Sequence, residues 1–428
     1  MKYGKRGAAA FVLALCTLVM FDWAQDWKIA RMIPEALDRR PVLTLWYTDE
    51  GLEDYLTKAA YEYGNQHDVR IMPVYQNGLE YLEAVNTASV SDVNMPDLYI
   101  ISNDSLEKAA LAGLAVPVED ADNQLILENY CMPALQAVNY RKNMLAYPFY
   151  FETTAFLYNK DYVGNAALSR EMPLNDILPQ TVGDILEFAN HYEATSAEET
   201  VFYWDVSDIF YNYFFAGDEV EVGGAYGDDA SRINIYNERA IEGLKVYQNL
   251  NQFFFIDAKE TDYDTVIQDF IDKKIVFTVA TSDVLRKLAQ AARDDGKTVN
   301  YGIARIPDIN EQIKSRSLSV TYAVAVNGYG TRQSLADDFA AWLTKEGTKD
   351  LYMYTGHIPA YKEYAVRKEG ADIFYQEYEE SVPVPKLMST ANFGMQMERA
   401  YTRIWDGGDV EMILKDLAEQ MQDQIAAE

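Results

Sequence analysis

In the stretch 147–161, YPFYFETTAFLYNKD, a single carboxylate, Glu152, interrupts an apolar and aromatic run that ends at Asn159. Aromatic and β-branched residues favour strands and bury readily, so a carboxylate among them needs a partner to offset the loss of its hydration. The flanking residues do not alternate between polar and apolar. This predicts a strand that is buried on both faces or that crosses between two bodies. The simpler alternative is an ordinary strand whose one polar position faces water.

Length and composition set the first limits. A chain of 428 residues exceeds one ordinary hydrophobic core and predicts two lobes of roughly 150 to 200 residues each. Lysine and arginine total 37 against 67 aspartates and glutamates, and the resulting net charge of −30 argues against nucleic acid and anionic lipid head groups as partners. An apolar fraction of 49%, with 32 tyrosines, excludes general disorder.

The first forty residues have the layout of an export signal. Basic residues at positions 2, 5 and 6 precede an uninterrupted apolar run over residues 7–21, which predicts that the rest of the chain lies outside the cytoplasm. Three fates stay open for this run: an uncleaved signal anchor, a cleaved signal, or a lipid attached to Cys16. Residues 22–40 then form a mixed-charge stalk. No disulfide within the chain is expected, because Cys16 lies inside this apolar run and Cys131 is the only other cysteine.

Three strand-to-helix units follow in succession, which predicts a parallel sheet covered by helices. The strands are expected at 41–47, 69–75 and 98–101, and polar residues follow each of them. In open α/β sheets, ligands bind beyond the carboxyl ends of the strands. The candidate ligand-binding residues at these three ends are Asp49, Glu50, Asn77, Asn103 and Asp104.

Each of these side chains also has a purely structural interpretation, because helix N-termini recruit aspartate and asparagine as caps whatever the protein does. Together with Glu152, however, they favour a site for a neutral, hydroxyl-rich ligand. Such a ligand needs carboxylate and amide acceptors and no compensating cations. No cofactor and no metal ion is expected.

A family resemblance begins at the same strand. The pattern starts with an aromatic residue followed by Glu152, and continues with Tyr-Asn-Lys-Asp at 158–161. Pro179, Thr181 and an amphipathic helix come after it. This pattern resembles the crossover of extracellular solute-binding proteins of the maltose-binding type, which serve ATP-driven sugar importers. The resemblance covers nearly all of residues 42–425.

The resemblance implies an α/β, two-lobed periplasmic-binding-protein-like fold of type II. Each lobe would be a mostly parallel sheet flanked by helices, and three hinge crossings would join the lobes. The crossings are expected at the strand of Glu152, at 301–307 and at 354–360, and a hinge of this kind lets the lobes close over a ligand. The predicted divisions are 1–40 for the signal or anchor and stalk, 41–151 plus 306–354 for the first lobe, and 152–305 plus 355–428 for the second.

The resemblance also implies which residues contact the ligand. The positions of Glu152, Asp49, Asn77 and Asp104 do so in the family. Trp204, Asp208 and Tyr211 correspond to an acid and aromatic rings that the second lobe supplies, although aromatic residues at this spacing more often belong to a core. Thr281-Ser282-Asp283 departs from the family's Gly-Pro-Trp, so we expect Asp283 to bind hydroxyl groups in place of a stacking ring.

Motifs for other chemistries are absent. No nucleophile elbow, phosphate-binding loop or zinc pattern occurs, and His67, His191 and His357 are far apart with no evident partner. The run 120–123, Asp-Ala-Asp-Asn, lacks the glycine and the glutamate of a calcium loop and is expected to be solvated.

The predicted function is that of an extracytoplasmic, monomeric binding protein rather than an enzyme. It would be secreted or tethered to the outer face of the membrane through its N-terminal segment, and would deliver a carbohydrate, in particular an oligosaccharide, to the permease subunits of an ABC transporter. Two alternatives stay open. One is a ligand-sensing partner of a membrane receptor kinase, and the other is a secreted glycosidase that uses Glu152 with Asp208 or Asp104.

Overall fold

The structure, a computed structural model, describes residues 40–426 except 92, 366, 368, 369 and 388–392, and no side chain at 174, 175 or 426. The strands are β1 Val42–Tyr47, β2 Arg70–Tyr75, β3 Leu98–Ser102, β4 Asn139–Tyr140, β5 Asn143–Met144, β6 Tyr147–Asn159, β7 Thr200–Phe202, β8 Glu221–Val222, β9 Ile233–Asn234, β10 Ile275–Thr281, β11 Tyr301–Ala304, β12 Leu318–Val326, β13 Ile358–Pro359 and β14 Val382–Pro383. The helices are α1 Glu53–His67, α2 Tyr81–Ser91, α3 Leu106–Leu111, α4 Met132–Val138, α5 Lys160–Ser169, α6 Leu174–Ile177, α7 Val182–Asn190, α8 Ile209–Asn212, α9 Glu238–Phe254, α10 Tyr263–Ile271, α11 Val284–Asp294, α12 Gln333–Thr344, α13 Leu351–Thr355, α14 Lys362–Ala365, α15 Ala371–Glu380, α16 Phe393–Trp405 and α17 Val410–Ala426.

The main sheet has the α/β arrangement that the sequence predicts. β1 lies between β2 and β3 with parallel pairing to both, which confirms the three successive strand-to-helix units. β12 continues this half of the sheet antiparallel to β3. In the other half, β10 pairs antiparallel with β6 and parallel with β7. Among the described residues, every antiparallel pair of the main sheet involves β6 or β12.

β6 is the strand that joins the two halves. Its first part, residues 147–153, pairs with β12, and its second part, residues 154–159, pairs with β10 and β11. All but one of its 13 side chains are buried, and the exception is Glu152, which is largely buried but keeps some exposure. The expectation of a strand that crosses between two bodies is therefore confirmed.

Two further passages connect the halves. The chain leaves β11, which pairs with the second part of β6, and re-enters the first half at β12, so residues 305–317 form the second passage. β13 and β14 still pair with strands of the first half, at Tyr150–Phe151 and at Leu318–Ser319. α16 and α17 then pack in the core around Trp204, so the third passage follows β14. The crossing expected at 354–360 is therefore wrong, because the chain still pairs with the first half of the sheet at Ile358–Pro359. The lobe boundaries given above stay a prediction.

The helix α1 contains a glycine at which it does not end. It continues past Gly64 to His67, and Asp68 then takes the left-handed conformation with φ of 52°. The reason is packing. A β-carbon on Gly64 would lie 2.6 Å from the carbonyl oxygen of Val69, so the glycine allows the chain to fold back closely onto the helix.

Within residues 40–426, apart from the gaps named above, no helix has the length and apolar character needed to cross a bilayer. The predicted signal or anchor at 7–21 lies outside the described residues.

Candidate functional site

Asp49, Glu152 and His357 come together where the two halves of the sheet meet. Asp49 follows β1, Glu152 lies in the middle of β6, and His357 immediately precedes β13. The His357 Nε2 atom lies 2.6 Å from Asp49 Oδ2, and the pKa of the Asp49 carboxyl is lowered first by this hydrogen bond. Residues that are 308 positions apart in the chain therefore form one hydrogen-bonded pair.

Aromatic rings form one wall of this site. Tyr150 stacks on Tyr322 with ring centroids 4.5 Å apart, and on His357 at 4.2 Å. Tyr150 and Glu152 are two residues apart on β6 and therefore face the same side of the sheet. A β-bulge between Tyr322 and Ala323, opposite Pro148 and Tyr150, shifts the strand register next to the site.

Glu152 is the unpaired acceptor of the site. Its carboxylate accepts no hydrogen bond from the described residues, although burial removes most of its hydration. Burial raises the pKa of the Glu152 carboxyl, His357 opposes the increase, and Asp283 and Asp49 add to it. Because Asp49 and Asp283 follow strands from opposite halves of the sheet, Glu152 faces both halves.

The three strand ends hold their polar residues in different ways. Asp104 is exposed and accepts hydrogen bonds from the Ser102 and Ser105 hydroxyls. Asp49 Oδ1 accepts from the backbone N–H of Gly51, as a cap does. Glu50 is exposed and bonds the Tyr75 hydroxyl.

Asn77 and Asn103 illustrate the structural interpretation. Asn77 is exposed, and its Oδ1 accepts from the backbone N–H of Leu79 in its own turn. Asn103 is 1% exposed, donates to the carbonyl of Val384 at 2.7 Å and accepts from the N–H of Thr321 at 2.8 Å. Because these backbone contacts occupy its amide, the structure does not place Asn103 as a ligand-binding residue.

The second half of the sheet contributes Tyr211 and Asp283, which are linked through Tyr263. The rings of Tyr211 and Tyr263 stack with centroids 4.7 Å apart, and the Tyr263 hydroxyl donates to Asp283 Oδ1 at 2.6 Å. Lys287 lies 3.1 Å from the other oxygen of Asp283 and 4.3 Å above the Tyr263 ring. Both carboxylate oxygens of Asp283 therefore have partners, Tyr263 and Lys287, within the second half of the protein.

Trp204 and Asp208 lie elsewhere. Trp204 is fully buried, packs at 5.5 Å against Trp405 and donates through Nε1 to Asn212, so its ring has no face for a ligand. The interpretation of this tryptophan as a core residue is the one that holds. Asp208 caps α8 through the N–H of Phe210 and lines a separate cavity with Glu398.

A cavity of about 410 Å³ opens in the first half, and its lining does not include Asp49, Glu152 or His357. It lies beyond the carboxyl ends of β1 and β3, lined by Thr48, Ser102 and Tyr322 among others. Tyr322 belongs both to this cavity and to the aromatic wall. Burial and then the negative charges of Glu152, Asp104 and Asp49 raise the pKa of its hydroxyl. The edge of the sheet at which a ligand was expected therefore does carry a concave surface.

Sequence reasoning missed His357 and Tyr322. The expectation that no histidine has a partner is wrong for His357, because the contact with Asp49 depends on the return of the chain after α13 and is invisible to local spacing. The signal that could have pointed to it is its position within 354–360, a stretch that resembles a segment of the family and whose strand β13 pairs with β6.

Metal and calcium binding find no support in the described part of the chain. No group of three or more histidine, cysteine or acidic side chains there is arranged to hold an ion. In the 120–123 loop, both Asp120 carboxylate oxygens accept backbone N–H groups, from Gln124 and Leu125.

A two-lobed α/β fold with acids and aromatic rings gathered between its halves defines the class of ligand-capturing binding proteins. The chain belongs to the family of bacterial extracellular solute-binding proteins, whose family profile matches residues 58–380. Its place outside the cytoplasm follows from that family.

Individual relatives agree with this assignment. A maltotriose-binding protein of Pyrococcus abyssi is 25% identical over 279 residues, which are 63% of this chain and 55% of that protein, so the match spans little more than half of the relative. The Staphylococcus aureus extracellular solute-binding protein, solved with maltose, has a TM-score of 0.77 at 18% identity, covering 91% of this chain and 99% of that one. A cyclo/maltodextrin-binding protein solved with maltotetraose gives 0.75 at 19% identity, over 90% of this chain and 98% of that one. At these identities the solved structures establish the fold.

Proposed function

We propose that this protein captures a carbohydrate, in particular an oligosaccharide, in the cleft between its two halves and delivers it unchanged to the permease subunits of an ABC transporter. The observation that carries the proposal is Glu152, a largely buried carboxylate without a hydrogen-bond donor beside a wall of stacked rings. A sugar supplies what this arrangement lacks, because its hydroxyls donate to the carboxylate and its apolar faces pack on aromatic rings. Maltose, maltotriose and maltotetraose in the names of the relatives support the same ligand class.

The proposed binding residues are Glu152, Asp104, Asp49, Tyr211 and Asp283, together with His357. Glu152 and Asp104 accept hydroxyl hydrogen bonds, and Asp49 acts mainly through His357. Tyr211 and Asp283 belong to the wall contributed by the second half. Asn77 and Glu50 remain candidates only at the mouth, because both are exposed.

The arrangement of the whole protein is part of the proposal. The two lobes close over the ligand as a monomer, and the N-terminal segment tethers them to the outer face of the membrane. A sensing role beside a receptor kinase would use the same cleft, and neighbouring genes for a permease or for a kinase would distinguish the two.

A thermal-shift screen tests the ligand class. The probes are maltose, maltotriose, maltotetraose, cellobiose and xylobiose, and a sugar that binds only the folded form raises its melting temperature. Glu152→Ala should weaken binding of the best sugar by about 1 to 3 kcal/mol through lost hydrogen bonds. Unchanged melting with every sugar would contradict carbohydrate capture, and cleavage of a labelled sugar during incubation would favour the glycosidase alternative.

A further inference from the structure

His357 is fixed at the junction of three segments. Its backbone N–H donates to Thr355 Oγ1 at 3.0 Å. The preceding residue, Gly356, takes a φ of 80°, and a β-carbon there would lie 2.9 Å from the Arg286 side chain. Only glycine satisfies both the left-handed backbone and this close approach without strain. The segment that carries the histidine is therefore held against the second half of the sheet.

The hydrogen bond with Asp49 decides which ring nitrogen can titrate. Asp49 Oδ1 already accepts from Gly51 at 2.8 Å, and its Oδ2 accepts from His357 Nε2 at 2.6 Å. A carboxylate can only accept, so Nε2 carries a hydrogen in both charge states of the ring. The proton gained or lost is therefore the one on Nδ1, which forms no hydrogen bond with the described residues.

The charges around the ring are unbalanced. The carboxylates of Asp49 and Glu152 both interact electrostatically with His357. Arg286 also interacts with Asp49, and Asp283 interacts with Glu152. Asp283 is itself paired with Lys287. The ring packed against His357 is the neutral Tyr150. The trio of Asp49, Glu152 and His357 thus carries a charge of −2 with a neutral histidine and −1 with a protonated one.

We propose that His357 is a ligand-contacting residue of the cleft and that capture of a neutral, hydroxyl-bearing ligand is accompanied by uptake of a proton on its Nδ1 atom. This inference rests on the proposed function. A neutral ligand brings no charge to offset the two carboxylates, and closure of the lobes excludes the water that screens them. Protonation supplies the missing positive charge, and histidine is the side chain whose charge changes near neutral pH. The protonated ring can also donate from Nδ1 to a sugar hydroxyl.

Calorimetric titration with maltotriose at pH 6 and pH 8, in pairs of buffers that differ in ionisation enthalpy, tests the proposal. The parent protein should bind about tenfold more tightly at pH 6 than at pH 8, a coupling of ordinary size. The buffer dependence of the heat at intermediate pH should show net proton uptake. The same titration uses the best saccharide of the screen if that is another sugar.

Two variants assign the proton. His357→Gln can still donate an amide hydrogen to Asp49 but cannot be protonated, so it should bind more weakly at pH 6 and lose most of the pH dependence. His191→Gln, at an exposed position outside the cleft, is the matched control and should keep the parent's pH profile. Binding with an equal pH profile in parent and His357→Gln would overturn the role of His357 while leaving carbohydrate capture intact. No binding of any saccharide at either pH would overturn the proposed function and this inference with it.

Discussion

At the scale of single residues, the cleft holds two carboxylates in opposite electrostatic situations. Asp49 has its pKa lowered by the hydrogen bond to His357, whereas burial raises the pKa of Glu152. The first carboxylate is stabilised by its own protein, and the second is held without a partner. A residue kept in an unfavourable state in the ligand-free protein is typical of binding sites, where stability is exchanged for function.

Replacing Glu152 by glutamine should therefore stabilise the ligand-free protein at pH 7 by about 0.5 to 2 kcal/mol. The raised pKa means that the folded carboxyl holds its proton more tightly than the unfolded one. Its contribution to stability is thus present below the unfolded pKa and is lost as pH rises through the folded value. Urea unfolding at pH 7 and pH 4 measures both. A variant less stable than the parent at pH 7 would show that Glu152 has a donor in the folded state.

A second residue under such a constraint lies away from the cleft. Lys386 is 1% exposed, and its ammonium group donates to the carbonyl of Gln136 at 2.6 Å. Burial lowers the pKa of Lys386 from 10.5 to about 8, while Asp228 and Glu107 oppose this shift. Between those two pH values the unfolded chain holds a proton that the folded protein has lost.

Through Lys386, the stability of the parent protein should consequently rise by about 3 kcal/mol relative to Lys386→Met as the pH increases from about 8 to 10.5. In Lys386→Met this rise should be absent, and the variant should be at least as stable as the parent at pH 7, since an apolar replacement removes a buried charge. Lys415→Met, at an exposed position on α17, is the control. Parallel stability curves for Lys386→Met and the parent over this range would contradict the assignment.

At the scale of elements, two helical glycines look alike in sequence and differ in packing. Gly164 lies within α5, and a β-carbon there would meet nothing within 4 Å. Gly243 lies within α9, where a β-carbon would be 2.1 Å from the carbonyl oxygen of Phe215. The second glycine sets how closely α9 approaches the helical turn Tyr213–Phe215.

Gly164→Ala should stabilise the protein by up to about 1 kcal/mol, because alanine is the better helix former. Gly243→Ala should destabilise it by about 1 to 3 kcal/mol, because the backbone of the turn must move aside. Thermal unfolding of the two variants beside the parent gives the comparison. Equal shifts in the same direction would mean that packing at Gly243 does not limit the approach of α9.

The side chain of Asn103 connects two segments of the fold, at Thr321 and Val384, and is not available to a ligand. Asn103→Ala leaves the N–H of Thr321 and the carbonyl of Val384 without their partner, so we expect a loss of about 2 to 3 kcal/mol in unfolding free energy. Asn77→Ala, at the exposed turn, should cost less than about 1 kcal/mol. Chemical denaturation of both variants tests this difference, and similar losses would place the two asparagines in the same role.

These pairs show what the sequence could predict. Strand-to-helix order and the apolar run around Glu152 sufficed for the α/β class and the crossing strand, since both depend on local patterns. The same patterns could not separate Asn103 from Asn77, because the difference is made by Val384, which lies 281 residues later. Trp204 was misplaced for a related reason, as the partner that buries it is Trp405.

At the scale of the whole molecule, the net charge of −30 opposes compaction. Raising the sodium chloride concentration from about 20 to 150 mM shortens the screening length to about 8 Å, and the unfolding free energy should rise by roughly 1 kcal/mol. Denaturation in potassium chloride at equal ionic strength separates screening from specific ion binding. A fall in stability with salt would indicate that favourable ion pairs, such as Arg305 with Glu377, outweigh the repulsion.

β6 is paired with strands of both halves of the sheet, and this determines when the chain can finish folding. The first part of the strand pairs with β12 and its second part pairs with β10. β12 in turn pairs with β14. Neither half can complete its hydrogen bonding from the residues that precede β6 alone. A growing or translocating polypeptide must therefore emerge to beyond residue 326 before β12 can pair with β3 and β6, and until then the edges of these two strands can pair with a strand of another chain. The sheet is complete only when β14 has followed, beyond residue 383.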